Sequence, residues 1–267
     1  MMLGALEVTV VTNLFAFTIA VMGAAAVLFL VQRSEAAPQY RLALALMGIV
    51  CLVAAYNYRL LYIGWTDAYS VVDGAVRVSG VPYTDIYRYT DWLVTVPSLL
   101  VVLVLVMDLT PKQTRVRGSI LALLAFEMIV IGYPGQLAVS ASTRMLWWAS
   151  AMVPFLLIIY QLYVSLAASV RSQPAEAKGL IMWARFLTVV IWSVYPVLYL
   201  LPLLGLEGRF TFVATQVTYA LADIVAKAVY GVLIYLVVMV KSRALREGGA
   251  DARPSAGPPP RNAPAAA

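Results

Sequence analysis

Residues 212–240 read FVATQVTYALADIVAKAVYGVLIYLVVMV. The stretch is long enough to cross a bilayer as a helix, because about 20 mostly apolar residues cover the ~30 Å of hydrocarbon. Near its middle it carries two ionisable residues, Asp223 and Lys227. A spacing of four places both on one helical face. Ionisable side chains inside a span are costly and mark function by default. One reading is a buried Asp–Lys pair that only fixes packing. The other is a buried amine in an apolar pocket, set up to form a Schiff base with an aldehyde.

Working outward, six more apolar stretches qualify as spans, at about 8–31, 41–63, 87–109, 119–133, 146–168 and 180–204. The fourth is short unless Gly132-Tyr133-Pro134-Gly135 continues it. Only 12% of the 267 residues are charged and 63% are hydrophobic. Soluble domains carry roughly a quarter charged residues, so water is not the main solvent here. Helices are the default in lipid because each backbone polar group must be satisfied internally. The runs are too long and too uniformly apolar for an outer-membrane barrel. The expected fold is an all-α membrane protein, a seven-helix bundle, with the lipid bilayer as its first partner.

Lys and Arg set the orientation. Lys112, Arg115, Arg117, Arg171, Lys178, Lys241, Arg243 and Arg246 all fall on the side of the C-terminus, which predicts a cytoplasmic C-terminus and an N-terminus outside. The net charge of +6 is therefore a topology signal and not a sign of nucleic-acid binding. The N-terminus lacks a basic n-region, so the first span is expected to stay as a helix of a multi-pass cell-membrane protein. With no His and the single Cys51, a zinc or haem site is not expected, and Cys51 reads as a small buried apolar residue. Between spans two and three, Asp73-Gly74 flanked by β-branched residues predicts a short β-hairpin. The expected organisation is one seven-helix domain over 1–245 and a disordered Pro/Ala-rich cytoplasmic tail over 246–267.

The third span contains Tyr87-Arg88-Tyr89-Thr90-Asp91-Trp92-Leu93-Val94-Thr95-Val96-Pro97. Arg88, Asp91 and Thr95 are spaced three and four apart, which makes a polar column pointing inward from the outer side. One cation at Lys227, two carboxylates at Asp91 and Asp223, and Arg88 below them give a near-neutral buried set that hydrocarbon tolerates. Trp192, Tyr195 and Tyr199 fall on one face of span six, and Trp147, Trp148 and Trp92 add further aromatics. Such stripes are ordinarily core or interface belts. Their convergence on the level of Lys227 points to a slot for a long, flat, apolar ligand.

These strings resemble the microbial rhodopsins over about residues 8–240. The span-three string is similar to the family's helix C motif, Trp192 with Tyr195-Pro196 to helix F, and Asp223 with Lys227 to helix G. Within the family, Gly132-Tyr133-Pro134-Gly135 and Thr143-Arg144-Met145-Leu146-Trp147 resemble the proteorhodopsin and xanthorhodopsin-like proton pumps. The resemblance implies all-trans retinal on Lys227 as a protonated Schiff base. It implies Asp91 as primary counterion and proton acceptor, and Asp223 as second counterion, hydrogen-bonded by Tyr58 and Tyr195. It further implies Arg88 as the link toward the outer exit, Thr95 hydrogen-bonded near Asp91, and a retinal lining of Trp92, Trp148, Trp192, Tyr195, Pro196 and Tyr199. Rings of three to five copies are common among similar proteins, so a homo-oligomer from trimer to pentamer is expected.

Four departures modify this picture. The family's cytoplasmic proton-donor position falls on Val102, which predicts slow reprotonation, by a water path that starts near Asp108. Asp108 itself reads as a solvated helix-end residue. The His that usually sits beside the acceptor is Asn57 here. Trp148 fills the position where carotenoid-binding relatives have Gly, so no carotenoid antenna is expected. Leu99 at the colour-tuning position implies green absorption. Glu127 is expected near the ring end of retinal, and Glu207 in the outer loop is a candidate for proton release. The resulting expectation is a light-driven outward proton pump with an Asp-Thr-Val motif and a slow cycle, and not an enzyme. The alternative is a photosensory rhodopsin that signals through a transducer protein. Asp91 argues against a chloride pump, Asp91 with Thr95 against a sodium pump, and Asp223 against an inward proton pump.

Overall fold

The computed structural model describes residues 3–251, and side chains as far as residue 247. Seven helices among them are long and apolar enough to cross a membrane. They are α1 (Ala5–Gln32), α2 (Arg41–Ala68), α3 (Ile86–Leu105), α4 (Pro111–Leu137), α5 (Ala141–Ser165), α6 (Ala175–Leu200) and α7. The last begins as Arg209–Asp223, passes through a π-helical turn at Ile224–Val229, and continues as Tyr230–Asp251. It thus runs past the expected domain boundary at residue 245. The rest of the expected tail, 252–267, lies outside the described residues.

Local chemistry fixes the helix ends. Thr110 caps α4 by accepting from Gln113 N at 3.3 Å, with Pro111 as its first residue, where a missing N–H costs nothing. Ser140 caps α5 by accepting from Thr143 N at 3.1 Å. The Gly132-Tyr133-Pro134-Gly135 segment does continue α4, with Pro134 inside the helix. The outer hairpin is present as β1 (Tyr69–Val72) and β2 (Ala75–Val78), antiparallel, with Val72 opposite Ala75. Asp73 and Gly74 both have positive φ, at 53° and 74°, as a two-residue turn of the I′ kind requires.

The buried apolar residues form two clusters that divide near the level of Asn57 and Asp223. The one on the N-terminal side holds Phe15, Tyr58, Leu61, Trp65 and Ala220. The larger one holds Met47, Val102, Leu103, Ile181, Ala184, Val237 and Val238. Close approach within the larger cluster depends on Gly231, because a Cβ there would meet the Phe29 ring at 2.5 Å and Met47 Cε at 2.8 Å. Both neighbours are fully buried. Gly231→Ala should therefore cost about 1–3 kcal/mol through overpacking. Thermal unfolding followed by circular dichroism checks this, with Gly23→Ala as the control, since nothing lies within 4 Å of a Cβ there and its unfolding temperature should not fall.

Candidate functional site

Between the two apolar clusters lies a layer of charge. The π-helical turn of α7 carries Lys227, and the preceding α-helical turn carries Asp223. π-Bulges recur at functional sites because they re-aim side chains within a continuous helix. Lys227 Nζ lies 2.6 Å from Asp223 Oδ1 and 2.9 Å from Asp91 Oδ2. All three side chains are no more than 2% exposed.

The two carboxylates differ sharply in their surroundings. Asp223 Oδ1 accepts from Lys227, from Tyr195 OH at 2.7 Å and from Trp92 Nε1 at 3.4 Å, and its Oδ2 accepts from Tyr58 OH at 2.7 Å. Asp223 thus receives four donors, three on Oδ1 and one on Oδ2, close to the four or so acceptor positions that a carboxylate offers. Asp91 meets the ammonium through Oδ2, and no other side chain among the described residues donates to its carboxylate. Thr95, fully buried, donates to the Asp91 backbone carbonyl at 2.9 Å and not to its carboxylate.

Arg88, 2% exposed, does not touch either carboxylate directly. It donates from Nη1 to Tyr58 OH at 3.0 Å, from Nη2 to Gln216 Oε1 at 2.7 Å and from Nε to Asp85 Oδ1 at 2.9 Å. Gln216 Nε2 closes the ring by donating to Asp85 Oδ2 at 3.0 Å. Tyr83 OH lies 3.1 Å from both Asp85 Oδ1 and Gln216 Oε1. Burial, and then the Asp85 charge, hold the Tyr83 phenol well above its ordinary range, so it stays a donor. The guanidinium also lies over the Tyr219 ring, 5.0 Å from its centroid. Hydrogen bonds thus run unbroken from Asp223 through Tyr58 and Arg88 to Asp85, whose side chain is 26% exposed.

Beside Lys227 an apolar cavity opens among α3, α4, α5, α6 and α7. Trp92, Trp148, Trp192, Tyr195, Pro196 and Tyr199 all line it, together with Leu99, and its only charged lining groups are Asp223 and Lys227. Trp148 Nε1 donates to the Pro196 carbonyl at 3.0 Å, which ties α5 to α6 across the cavity wall. A long apolar aldehyde fits this setting. The wall is aromatic, a primary amine sits at its end, and the Asp91 carboxylate faces a nitrogen that would still carry a proton.

All six residues expected to line the ligand slot do so, along with the lysine. Tyr58 donates to Asp223 as expected and also joins it to Arg88. Glu127 is half-buried on α4 but lines no part of the cavity, unlike its neighbours Met128 and Ile129. Asn57 accepts from Thr90 Oγ1 at 3.0 Å and donates to the Val53 carbonyl. Glu207 is exposed, and the acid that meets Arg88 is Asp85. Asp85, Gln216 and Tyr83 escaped the sequence reading. The available signals were an opposite charge one helical turn before Arg88, and a glutamine seven residues before Asp223 on the same helical face.

The profile of the Bacteriorhodopsin-like protein family matches residues 9–240. Bacteriorhodopsin of Halobacterium salinarum is 33% identical over 172 residues, an alignment that spans 64% of this chain but only 61% of that relative. Archaerhodopsin-2 of Halobacterium sp. (strain aus-2) is 30% identical over 225 residues, covering 84% of this chain and 79% of that one. Among solved structures, xanthorhodopsin, a light-driven ion pump with dual chromophore, superposes with a TM-score of 0.89 at 38% identity, over 93% of this chain and 98% of that one. Thermophilic rhodopsin superposes with a TM-score of 0.87 at 36% identity, over 92% and 98%. The family match covers nearly all of the seven-helix bundle, and the solved structures share its fold: this chain is a multi-pass cell-membrane protein that belongs to the bacteriorhodopsin-like family.

Proposed function

We propose that this chain binds all-trans retinal covalently on Lys227 and, when illuminated, moves protons out of the cell. The observation that carries the reading is the Lys227 ammonium, sealed between Asp91 and Asp223 at the wall of an apolar aromatic cavity. Retinal, when bound, supplies visible absorption and a double bond whose photoisomerisation re-aims the nitrogen's proton. Trp92, Trp148, Trp192, Tyr195, Pro196 and Tyr199 would hold it. Trp148 closes the α5–α6 wall, which supports a single chromophore without a carotenoid antenna.

The division of labour between the two acids follows from their hydrogen-bond donors. Asp91 Oδ2 lies 2.9 Å from Nζ and, unlike Asp223, receives no tyrosine or tryptophan donor, so its carboxylate is the group assigned to take the proton. The donors from Tyr58, Tyr195 and Trp92 stabilise Asp223 in its charged form, so Asp223 serves as the standing counter-charge. Arg88 and Tyr58 hold a hydrogen-bonded route from this layer to Asp85 and the outer water. Thr95 fills the turn beside Asp91 with its hydroxyl already satisfied. On the opposite side Val102 is fully buried among apolar residues, with no carboxylate to hand a proton to Lys227. Reprotonation from that side is therefore slow. The excess of Lys and Arg on the C-terminal side supports a cytoplasmic C-terminus, which makes the Asp85 side the outside. An assembly of three to five copies in the bilayer accords with this reading.

The test is light-induced pH change in cells that express the protein with retinal. Outward pumping predicts acidification of the medium that a protonophore abolishes. A coloured protein with no pH change would favour a photosensor with a transducer partner. Val102→Asp puts an acid into the dry side. It should speed the late proton uptake, followed by a pH-indicator dye after a flash, by about tenfold or more, a conservative share of the roughly 10²–10⁴-fold that a well-placed general acid contributes.

A further inference from the structure

We infer that Lys241 and Asp108 form a latch that holds the C-terminal-side mouth of the bundle closed and sets how fast a proton reaches Lys227 from that side. Its effect on rate rests on the pumping reading above. Its geometry does not.

Lys241 lies on α7 far from Lys227, and it is only 4% exposed. An ammonium has three protons to place. This one donates to the Val106 carbonyl at 2.7 Å and to Gln173 Oε1 at 2.5 Å, and it forms an ion pair with Asp108. Its partners extend the set. Tyr40 OH donates to Asp108 Oδ1 at 2.5 Å, and Gln173 Nε2 donates to the Met107 carbonyl at 3.0 Å. Next to Lys241, Ser242 Oγ accepts from Ala37 N at 2.9 Å. One buried cation thereby gathers α7, the turn that follows α3, the segment before α6 and the approach to α2. Asp108 is not the freely solvated helix-end residue expected from the sequence. Its side chain is 45% exposed, it is paired, and it sits at a φ of 52°, a left-handed conformation that a non-glycine residue adopts at a cost.

The arrangement does more than cap a helix. Val106 and Met107 follow the end of α3, where carbonyls lose their intrahelical partners, and water would satisfy them at an open surface. A lysine buried to do this carries a desolvation cost that only its pairing offsets. What lies beneath gives the burial a purpose. Between the latch and Lys227, Val102, Leu103, Ile181, Ala184, Val237 and Val238 are all at most 1% exposed and carry no polar side-chain atom. Water crosses such a layer only when the helix ends part, and those ends are the ones Lys241 ties together. One side of the pair is already wet at Asp108, so it has a place to open.

Two measurements on the full-length, retinal-loaded protein test this with Lys241→Met, Asp108→Asn and Tyr40→Phe. In the dark, amide hydrogen exchange in peptides covering 104–110 and 170–176 should rise by about tenfold or more in Lys241→Met. After a flash, proton uptake should be about threefold faster in Lys241→Met and Asp108→Asn, with the visible band and the early proton release unchanged. Unchanged exchange would overturn the latch. Faster exchange with unchanged or slower uptake would overturn its control of the rate. If Lys241→Met does not fold, Asp108→Asn and Tyr40→Phe must show the same two effects, and their failure to do so overturns the proposal. Absence of any flash-induced uptake in the unmodified protein would remove the pumping reading, while the exchange arm would still decide the latch.

Discussion

An ammonium ion at the centre of a membrane protein dictates its surroundings. Moving one charge out of water costs several kcal/mol even after relaxation, and the deficit is made good only by close opposite charge and complete hydrogen bonding. Lys227 finds both, in Asp223 at 2.6 Å and Asp91 at 2.9 Å. That requirement brings α3 against α7, recruits Tyr58 from α2 and Tyr195 from α6 as donors to Asp223, and leaves Asp91 with Lys227 as its only side-chain partner among the described residues. The inequality between two otherwise similar carboxylates is the chemical content of the site.

The bundle is asymmetric about this layer. Toward the N-terminal side a continuous polar network leads from Asp223 through Tyr58, Arg88 and Gln216 to the half-wet Asp85. Toward the C-terminal side there is first a dry layer around Val102 and then a knot of hydrogen bonds around Lys241. The proposed outward transport requires such inequality, because a proton leaving the centre must find one exit easier than the other. The fold supplies it passively, through the polar chain from Asp223 to Asp85 on one side and the apolar layer around Val102 on the other.

Much of this was legible in the sequence, for physical reasons. Spans announce themselves because lipid demands continuous apolar runs. Asp223 with Lys227, and Arg88 with Asp91 and Thr95, are pairs within one helix, so spacing alone gives their shared face. The cavity's aromatic lining followed from stripes on individual helices. What escaped notice joins residues far apart in the chain. Arg88 to Gln216, Tyr83 to Gln216, Lys241 to Val106 and Tyr40 to Asp108 depend on how helices pack, which local spacing does not encode. Asp108 and Lys241 look like two ordinary boundary charges until the bundle brings them together. Glu127, expected near the ligand's ring end, is half-buried on α4 and does not line the cavity, where its neighbours Met128 and Ile129 do, a matter of helix face that depth in a span does not encode.

The most direct test of the two-carboxylate account is the visible spectrum of Asp91→Asn, compared with the unmodified protein, after loading with all-trans retinal. A negative charge beside the bound nitrogen stabilises the ground state, in which positive charge is localised there, more than the excited state. Removing it should move the absorption band to longer wavelength and stop proton release to the outer medium. An unshifted band with release intact would mean that Asp91 is neither counter-charge nor acceptor, and the account of the site would fail.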